Sequence, residues 1–316
     1  MFERIGMVGG GTMGHGMAAA FAMGGCAVNV FEPAKGQRAH IRPAVEVDYK
    51  LLVEEGLLAP DAAAASLERI RVFDELKPAV ADREFVVEAT PEQMALKQSL
   101  FRELDELCPP ETVLASNTSS LPLAGMMEGV PEPRRQRMMV THWYNPALFM
   151  PIVELSAFGN MPEALYQEVA ALHQRIGKQT VKVLKDVPGL VANRIQQAVA
   201  REAFSILAQG IAAPEDVDKA LKFGPAFRYA TTGQLEVADF GGLDIWLTVG
   251  DNLLAVMDAS KQASPMLRRL VQEGKLGVKS GEGFFRYDPA TVADKTRAFQ
   301  KRLIHQLKAS KAYIAD

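Results

Sequence analysis

The sequence predicts an α/β protein with a doubly wound, mainly parallel sheet, followed by an all-α C-terminal domain. Up to about residue 185, short β-branched or aromatic runs alternate with long helical stretches, and beyond that point only helical patterns occur. A glycine-rich turn also lies between the first predicted strand and the first predicted helix. We therefore divide the chain into two domains, residues 1–185 and 186–316.

Seven short apolar runs are the predicted strands. They are Arg4 to Val8, Val28 to Phe31, Phe85 to Glu88, Val113 to Ala115, Met138 to His142, Ile152 to Leu155 and Val181 to Leu184. Between the second and third runs, Ala39 to Glu55 and Pro60 to Arg69 show helical patterns separated by Gly56. This pair predicts a helical hairpin that projects from the sheet.

Strand patterns end at Lys185-Asp186-Val187-Pro188-Gly189, a turn sequence that we take as the domain boundary. Five helices are predicted beyond it. They are Leu190 to Ala208, Pro214 to Phe223, Ile245 to Met257, Pro265 to Glu273 and Val292 to Lys308.

The composition is that of an ordinary globular protein and excludes several functional classes. The 316 residues are 48% hydrophobic and 23% charged, and the net charge of −3 without a basic run argues against nucleic-acid binding. The two cysteines, Cys26 and Cys108, lack the spacing of a metal or redox motif. Because the first predicted strand begins at residue 4, we expect no signal or transit peptide, and no apolar run has the length of a membrane span. We expect a cytoplasmic location.

The run Gly9-Gly10-Gly11-Thr12-Met13-Gly14 directly follows the first strand. Gly9 permits a tight turn, Gly11 lets the backbone approach a pyrophosphate, and Gly14 allows the helix to pack closely on the sheet. A pyrophosphate then lies at the helix N-terminus, where free N–H groups and the helix dipole favour an anion. The sequence predicts a Rossmann-type dinucleotide site.

Glu32 ends the second predicted strand, at about the 20-residue distance where a carboxylate binds the adenosine ribose hydroxyls. This favours NAD, because the same carboxylate repels a 2′-phosphate. Lys35 and Arg38 lie nearby and leave NADP open. FAD shares the glycine pattern, so the pattern alone does not choose between FAD and NAD.

His142 and Glu154 are a candidate catalytic pair. His142 ends one apolar strand, Trp143-Tyr144-Asn145-Pro146 forms a turn, and Glu154 lies in the next strand. A carboxylate bonded to one ring nitrogen fixes the tautomer and leaves the other nitrogen to accept a substrate proton. The alternative is a histidine whose hydrogen bonds serve only the fold. A metal site is not predicted, since no second histidine or cysteine stands at ligand spacing.

Small polar residues from Ser116 to Ser120 directly follow the Val113 strand, where ligands gather on an open parallel sheet. The same composition is typical of a helix N-cap before Leu121 and Pro122, and we keep both interpretations. A Ser-His-Glu hydrolase is disfavoured because no G-x-S-x-G sequence surrounds a serine.

Five motifs follow one another along most of the chain. They are Gly9 to Gly14, Val87-Glu88-Ala89, Ser116 to Ser120, His142-x-x-Asn145-Pro146 with Glu154, and Asp186-x-Pro188-Gly189-x-x-x-Asn193-Arg194. In this order they resemble the L-3-hydroxyacyl-CoA dehydrogenase family, and Gly281-Glu282-Gly283-Phe284-Phe285-x-Tyr287 is similar to the family's C-terminal signature. The resemblance selects NAD over FAD, and it implies a Rossmann domain followed by a helical substrate and dimerisation domain, hence a homodimer.

The resemblance also implies residue roles. His142 is the expected general base, Glu154 orients it and stabilises its charge, and Ser119 and Asn193 hold the substrate oxygen. The positions that match the family's cofactor contacts, besides Gly9, Gly11, Thr12, Met13, Gly14 and Glu32, are Ala89, Glu92, Lys97, Asn117 and Asn145. The implied reaction is the reversible, NAD-dependent oxidation of an L-3-hydroxyacyl-CoA, a reaction of fatty acid metabolism.

Some residues depart from the acyl-CoA members. Those members carry a serine and a lysine toward CoA on the hairpin, whereas the matching positions here are Asp48 and Glu55, with Glu54 beside the latter. Trp143-Tyr144 replaces the usual paired phenylalanines. These features resemble the branch that contains lambda-crystallin (gulonate dehydrogenase), carnitine dehydrogenase and a pyridine-carboxylate dehydrogenase, and they imply a small free hydroxy acid as the alternative substrate. Arg228 is then a candidate carboxylate clamp, or else a surface or dimer contact.

Two other classes of protein fit less well. A 6-phosphogluconate-type dehydrogenase requires a catalytic lysine, and Val187 to Asn193 contains none. A non-enzymatic protein that only senses NAD would be expected to lose the base or its partner, and both His142 and Glu154 are present.

Overall fold

The computed structural model describes residues 2–312 and divides into two compact units, with the division between Ala192 and Asn193. The strands are β1 (Arg4–Val8), β2 (Ala27–Phe31), β3 (Ile70–Phe73), β4 (Phe85–Glu88), β5 (Val113–Ser116), β6 (Met138–Trp143), β7 (Ile152–Ser156) and β8 (Gln179–Val183). The helices that accompany them are α1 (Thr12–Met23), α2 (Lys35–Glu54), α3 (Pro60–Glu68), α4 (Leu76–Val80), α5 (Met94–Leu107), α6 (Leu123–Met126), α7 (Glu132–Arg135) and α8 (Glu163–Arg175).

The first unit contains one eight-stranded sheet in the order β3-β2-β1-β4-β5-β6-β7-β8. Every neighbouring pair is parallel except β6 and β7, which are antiparallel. The strand order reverses between β1 and β4, and such a switch point is where open α/β sheets bind their ligands. The predicted doubly wound, mainly parallel sheet is confirmed.

The sequence prediction was wrong at β3, because it did not include this edge strand. The strand has only four residues, follows α3 almost directly, and pairs with β2 on one side alone. Arg71 interrupts its apolar residues, and Val72 and Phe73 are only half-buried. The sequence pattern therefore predicts only the helix before Ile70, and the strand after it is stabilised by pairing with β2.

Both faces of the sheet are covered, so the central strands are buried throughout. Ile5 and Met7 of β1 are completely buried, as are the strand residues Val28 and Val30 of β2. Helix α1 packs closely on this surface through a stretch of small buried residues, Ala18 to Ala20. Burial on both faces explains the short, continuously apolar strands of the sequence.

Residues 193–312 of the second unit form helices and loops, with isolated bridges as their β structure. Its helices are α9 (Ala192–Ala208, beginning at the last residue of the first unit), α10 (Pro214–Phe223), α11 (Pro225–Tyr229), α12 (Gln234–Gly241), α13 (Leu243–Leu253), α14 (Pro265–Gln272) and α15 (Val292–Ser310). Among residues 193–312 only Val237, Ile304 and Ser310 are buried. The predicted all-α C-terminal domain is confirmed, with the short α11 and α12 added.

Candidate active site

The glycine-rich turn has the backbone that the sequence predicts. Gly9 has a φ of 95°, in the region that side chains disfavour, and its N–H donates to the Phe31 carbonyl at 2.9 Å. A Cβ on Gly14 would lie 1.8 Å from the Gly9 carbonyl oxygen, so only glycine permits this contact of helix and turn. Helix α1 begins at Thr12 without a side-chain cap, which leaves first-turn N–H groups for an anion.

A cavity of about 680 Å³ opens above this turn and suits an extended dinucleotide. Its lining includes most of the residues predicted to bind the cofactor: Gly9, Gly11, Thr12, Met13, Glu32 and Ala89. Glu32 accepts hydrogen bonds from the N–H groups of Gly10 and Ala34, each at 3.0 Å. These bonds hold the carboxylate at the end of β2, beside the turn, where an adenosine ribose would lie.

His142 and Glu154 lie directly opposite each other in the antiparallel β6–β7 pair. The Nδ1 atom of His142 is 2.8 Å from Oε2 of Glu154, and both side chains are buried. Because a carboxylate only accepts, Nδ1 carries the proton and Nε2 has the free lone pair. The ring of Tyr144 packs edge-on against the imidazole, with centroids 5.2 Å apart.

The second oxygen of Glu154 is also fixed. Oε1 accepts the backbone N–H groups of Val191 at 2.8 Å and Ala192 at 2.9 Å. Burial raises the pKa of the Glu154 carboxyl, but the hydrogen bonds from His142, Ala192 and Val191 outweigh it and hold the pKa below its ordinary value. The carboxylate therefore stays charged beside the imidazole.

The polar loop after β5 is held by hydrogen bonds to Glu92, which lies in the loop after β4. Oε1 of Glu92 accepts the Thr118 hydroxyl at 2.6 Å and the backbone N–H groups of Ser119 and Ser120, each at 3.1 Å. The predicted N-cap position is wrong, because α6 begins only at Leu123, whose N–H donates to Oδ2 of Asp186 at 2.7 Å. Within the loop, the hydroxyl oxygen of Thr118 accepts the Leu121 N–H at 3.0 Å.

Asn117 connects this loop to the strand of the candidate base. Its Oδ1 accepts the backbone N–H of Trp143, the residue after His142, at 2.8 Å. The carbonyl of Ser119 accepts the Gly189 N–H at 3.1 Å, which ties the loop to the segment after β8. Asn117 thus connects the loop to the strand of His142, and Ser119 connects the same loop to the segment after β8.

Lys97 is almost completely buried on α5, although sequence reasoning placed it only as a cofactor contact. Its Nζ lies 2.6 Å from Oε1 of Glu88 and 3.5 Å from Oε2 of Glu92. Glu88 also accepts the hydroxyl of Ser116 and, at 2.6 Å, that of Thr90. Sequence reasoning gave Glu88 and Ser116 no role of their own, although each lies in a motif named above and ends a strand at the edge where such sheets bind ligands.

The other predicted residues lie further along the chain. Asn145 is exposed in the turn after β6 and precedes Pro146 through a cis peptide bond. Asn193 is the second residue of α9, and Arg228 is exposed on α11; both belong to the second unit.

The described residues contain neither a metal-binding cluster nor a membrane-spanning helix. No three His, Cys, Asp or Glu side chains within residues 2–312 converge on a possible metal position. Of the helices described, none combines the length and apolar character that crossing a membrane requires.

The models of two domains of one enzyme family match successive parts of the chain. The 3-hydroxyacyl-CoA dehydrogenase NAD-binding domain matches residues 4–187, and the C-terminal domain of the same enzymes matches residues 189–287. The NAD cofactor predicted from the glycine motif and Glu32 is thereby confirmed.

Curated relatives cover nearly the whole chain. It is 32% identical over 309 residues to 5-formyl-3-hydroxy-2-methylpyridine 4-carboxylate 5-dehydrogenase of Mesorhizobium japonicum, covering 98% of this chain and 97% of that protein. It is 34% identical to a probable 3-hydroxybutyryl-CoA dehydrogenase of Bacillus subtilis, covering 92% and 99%.

A solved structure agrees with these matches. A crystal structure of the pyridine-carboxylate dehydrogenase superposes with a TM-score of 0.88 at 31% identity, covering 96% of this chain and 97% of the other. The chain therefore belongs to the 3-hydroxyacyl-CoA dehydrogenase family of NAD-dependent oxidoreductases.

Proposed function

We propose that this protein oxidises the hydroxyl group of a small free hydroxy acid, with His142 as the general base. The observation that carries the proposal is the buried 2.8 Å contact between His142 Nδ1 and Glu154 Oε2, beside the loop that carries Asn117 and Ser119. This pair supplies a proton acceptor of defined tautomer at the carboxyl edge of the parallel strands.

In the proposed reaction, Nε2 of His142 takes the hydroxyl proton as the carbon–oxygen double bond forms. Bound NAD supplies the acceptor for the hydride that leaves the same carbon. The charged Glu154 stabilises the imidazolium and keeps the ring oriented. In the reverse direction the imidazolium returns the proton to the oxygen.

The remaining predicted residues take supporting roles in this proposal. Ser119 and Asn193 hold the substrate oxygen, where donors favour the developing charge. Glu92, Lys97, Asn117 and Asn145, together with Ala89, contact the ribose and nicotinamide end of the cofactor. Arg228 pairs with the substrate carboxylate, since a guanidinium binds a carboxylate through two parallel hydrogen bonds.

The surroundings of Asp48 favour a free acid over a thioester. By the family resemblance this position carries a serine toward CoA, but here Oδ2 of the buried Asp48 lies 3.6 Å from Nε2 of His15. The Asp48 carboxylate raises the pKa of His15 against the effect of desolvation, so this position offers an acceptor where the acyl-CoA members carry a hydroxyl donor. Together with Glu54 and Glu55, this carboxylate would repel the phosphates of CoA.

The M. japonicum relative supports the same substrate class, because its name describes a small pyridine with a carboxylate and a formyl group. A hydrated aldehyde presents a hydroxyl on a carbon that bears hydrogen, the same unit that His142 is proposed to act on. The B. subtilis relative supports the second candidate, an L-3-hydroxyacyl-CoA of fatty acid metabolism.

The two substrate classes can be separated by NADH formation. The purified protein is assayed with 3-hydroxybutyrate, carnitine, gulonate and a formylpyridine carboxylate, and with 3-hydroxybutyryl-CoA. We expect a larger kcat/KM for at least one free acid than for the thioester. Turnover of the thioester alone would overturn the free-acid proposal.

Variants of helix α2 test why the protein would prefer a free acid to a thioester. Asp48→Ser should raise the kcat/KM for the thioester by about tenfold, since one repulsive charge is removed and a donor is restored. Glu46→Ser, an exposed acid on the same helix, is the matched control and should leave the ratio of thioester to free-acid activity unchanged. An equal change in both variants would refute the specific role of Asp48.

We also propose that the protein is a homodimer formed through the second unit. Several of its large apolar side chains are mostly exposed. They include Phe227, Leu235, Phe240, Leu247, Leu254 and Val256. Apolar exposure on this scale within one helical unit is typical of a surface that a second copy covers.

A further inference from the structure

Lys178 is a buried charge that the proposed reaction does not use. It is the residue before β8 and is only 4% exposed, although it carries an ammonium group. Burying an ammonium costs free energy unless its three N–H groups find acceptors. No carboxylate in the described structure forms a salt bridge with Lys178; backbone carbonyls serve instead.

All three acceptors come from one short segment. Nζ of Lys178 donates to the carbonyls of Ala147 at 2.8 Å, Leu148 at 3.1 Å and Met150 at 2.8 Å. The ammonium also lies 5.1 Å from the ring centroid of Trp143. Burial lowers the pKa of Lys178 to about 7. The lysine thus satisfies carbonyls that have no strand or helix to pair with.

The segment that Lys178 holds is the connection between the strands of the two candidate catalytic residues. This connection, residues 144–151, follows His142 and Trp143 and leads into β7, which carries Glu154. Its exposed member Asn145 is the proposed nicotinamide contact and lies two positions before Ala147. Displacement of the carbonyls would therefore move Asn145.

The connection has little freedom on its other side. A Cβ added to Gly16 of α1 would lie 3.2 Å from the Cβ of Ala147 and 3.3 Å from the Leu148 nitrogen, so the helix of the cofactor turn is in close contact with it. The N–H of Gln179 donates to the Pro151 carbonyl at 2.6 Å and fixes the far end. Lys178 is the side chain that fixes the middle.

We infer that Lys178 is a positioning residue, which holds the 144–151 connection so that Asn145 meets the nicotinamide end of NAD. The inference rests on the proposed role of Asn145. It predicts that loss of the ammonium weakens recognition of the nicotinamide half of the cofactor and spares the ADP-ribose half, which the glycine turn and Glu32 bind. A lysine that only stabilised the fold would not distinguish the two halves.

The experiment compares calorimetric affinities of the full-length protein for NAD and for ADP-ribose, which lacks nicotinamide. Lys178→Met should weaken NAD binding by about tenfold and change ADP-ribose binding by less than about twofold. Lys178→Gln keeps an N–H donor, should show a smaller loss of the same kind, and serves if the methionine variant does not fold. Unchanged NAD affinity, or equal losses for both ligands, would overturn the inference.

Two further variants complete the test. Lys182→Met is the matched control, because Lys182 lies on β8, is more exposed, and contacts Glu163 and the Tyr166 ring. The affinities for NAD and for ADP-ribose should both stay at the wild-type values. Asn145→Ala should reproduce the selective loss of NAD affinity. If Asn145→Ala leaves NAD affinity unchanged, the role of Asn145 fails and the inference fails with it, whereas the proposed reaction is tested separately by NADH formation.

Discussion

The two units of this protein differ sharply in how they bury their apolar residues. In the first unit, β1, β2 and β4 are lined with completely buried side chains, and the candidate catalytic pair lies within the same packed structure. In the second unit, Leu235 is 84% exposed and Phe240 is 82% exposed. The first unit thus buries its apolar residues within one chain, whereas large apolar side chains of the second unit stay exposed.

The contrast has an energetic consequence. Burial of one Leu or Phe side chain contributes roughly 1.5–3 kcal/mol, so exposed residues such as Leu235 and Phe240 leave considerable stabilisation unused within one chain. The first unit needs no partner to hold the cofactor turn and the His142–Glu154 pair. The homodimer proposed above would bury such side chains of the second unit.

The largest effect is expected for a variant of the proposed base His142, which lies in the first unit. His142→Gln should lower kcat by about 10²- to 10⁴-fold, because a positioned base is lost, while NAD affinity stays near wild type. The measurements are NADH formation with the best substrate of the panel and calorimetric titration of NAD. His40→Gln, an exposed histidine on α2, is the control, and near-normal turnover of His142→Gln would refute the assigned base.

A smaller effect is expected in the second unit. Phe240→Asp should weaken the dimer by about 2 kcal/mol, roughly a thirtyfold rise in its dissociation constant, because a charge replaces an aromatic side chain that the proposed dimer would bury. Sedimentation velocity over a concentration series measures the change. Val47→Asp alters a 60% exposed apolar residue of the first unit and should leave the dimer intact. A monomeric wild-type protein would contradict the proposed assembly.

The smallest effect concerns the cofactor turn. Glu32→Gln should weaken NAD binding by about tenfold, since one charged acceptor for the ribose hydroxyls becomes neutral. NADP should lose less affinity or gain some, because repulsion of its 2′-phosphate falls. Titration of both cofactors gives the ratio, and an equal loss for NAD and NADP would show that Glu32 acts only on the fold of the turn.

Local sequence was sufficient to predict much of the first unit. The glycine turn, α1 and Glu32 lie within one strand–helix–strand unit, where residue type and spacing determine backbone conformation directly. The edge strand β3 escaped prediction because pairing with β2, rather than its own four residues, stabilises it. Asp186 likewise caps α6 from far along the chain, which no local pattern reveals.

By itself, the sequence determined the fold class, the dinucleotide turn and the residue types of the candidate base and its partner. Only the tertiary structure decided that His142 and Glu154 share one register position, that Glu88 bonds both Lys97 and Ser116, and that Lys178 binds three carbonyls of one connection. The physical reason is that hydrogen-bond geometry depends on strand register and on contacts between distant segments. Spacing along the chain constrains neither of these.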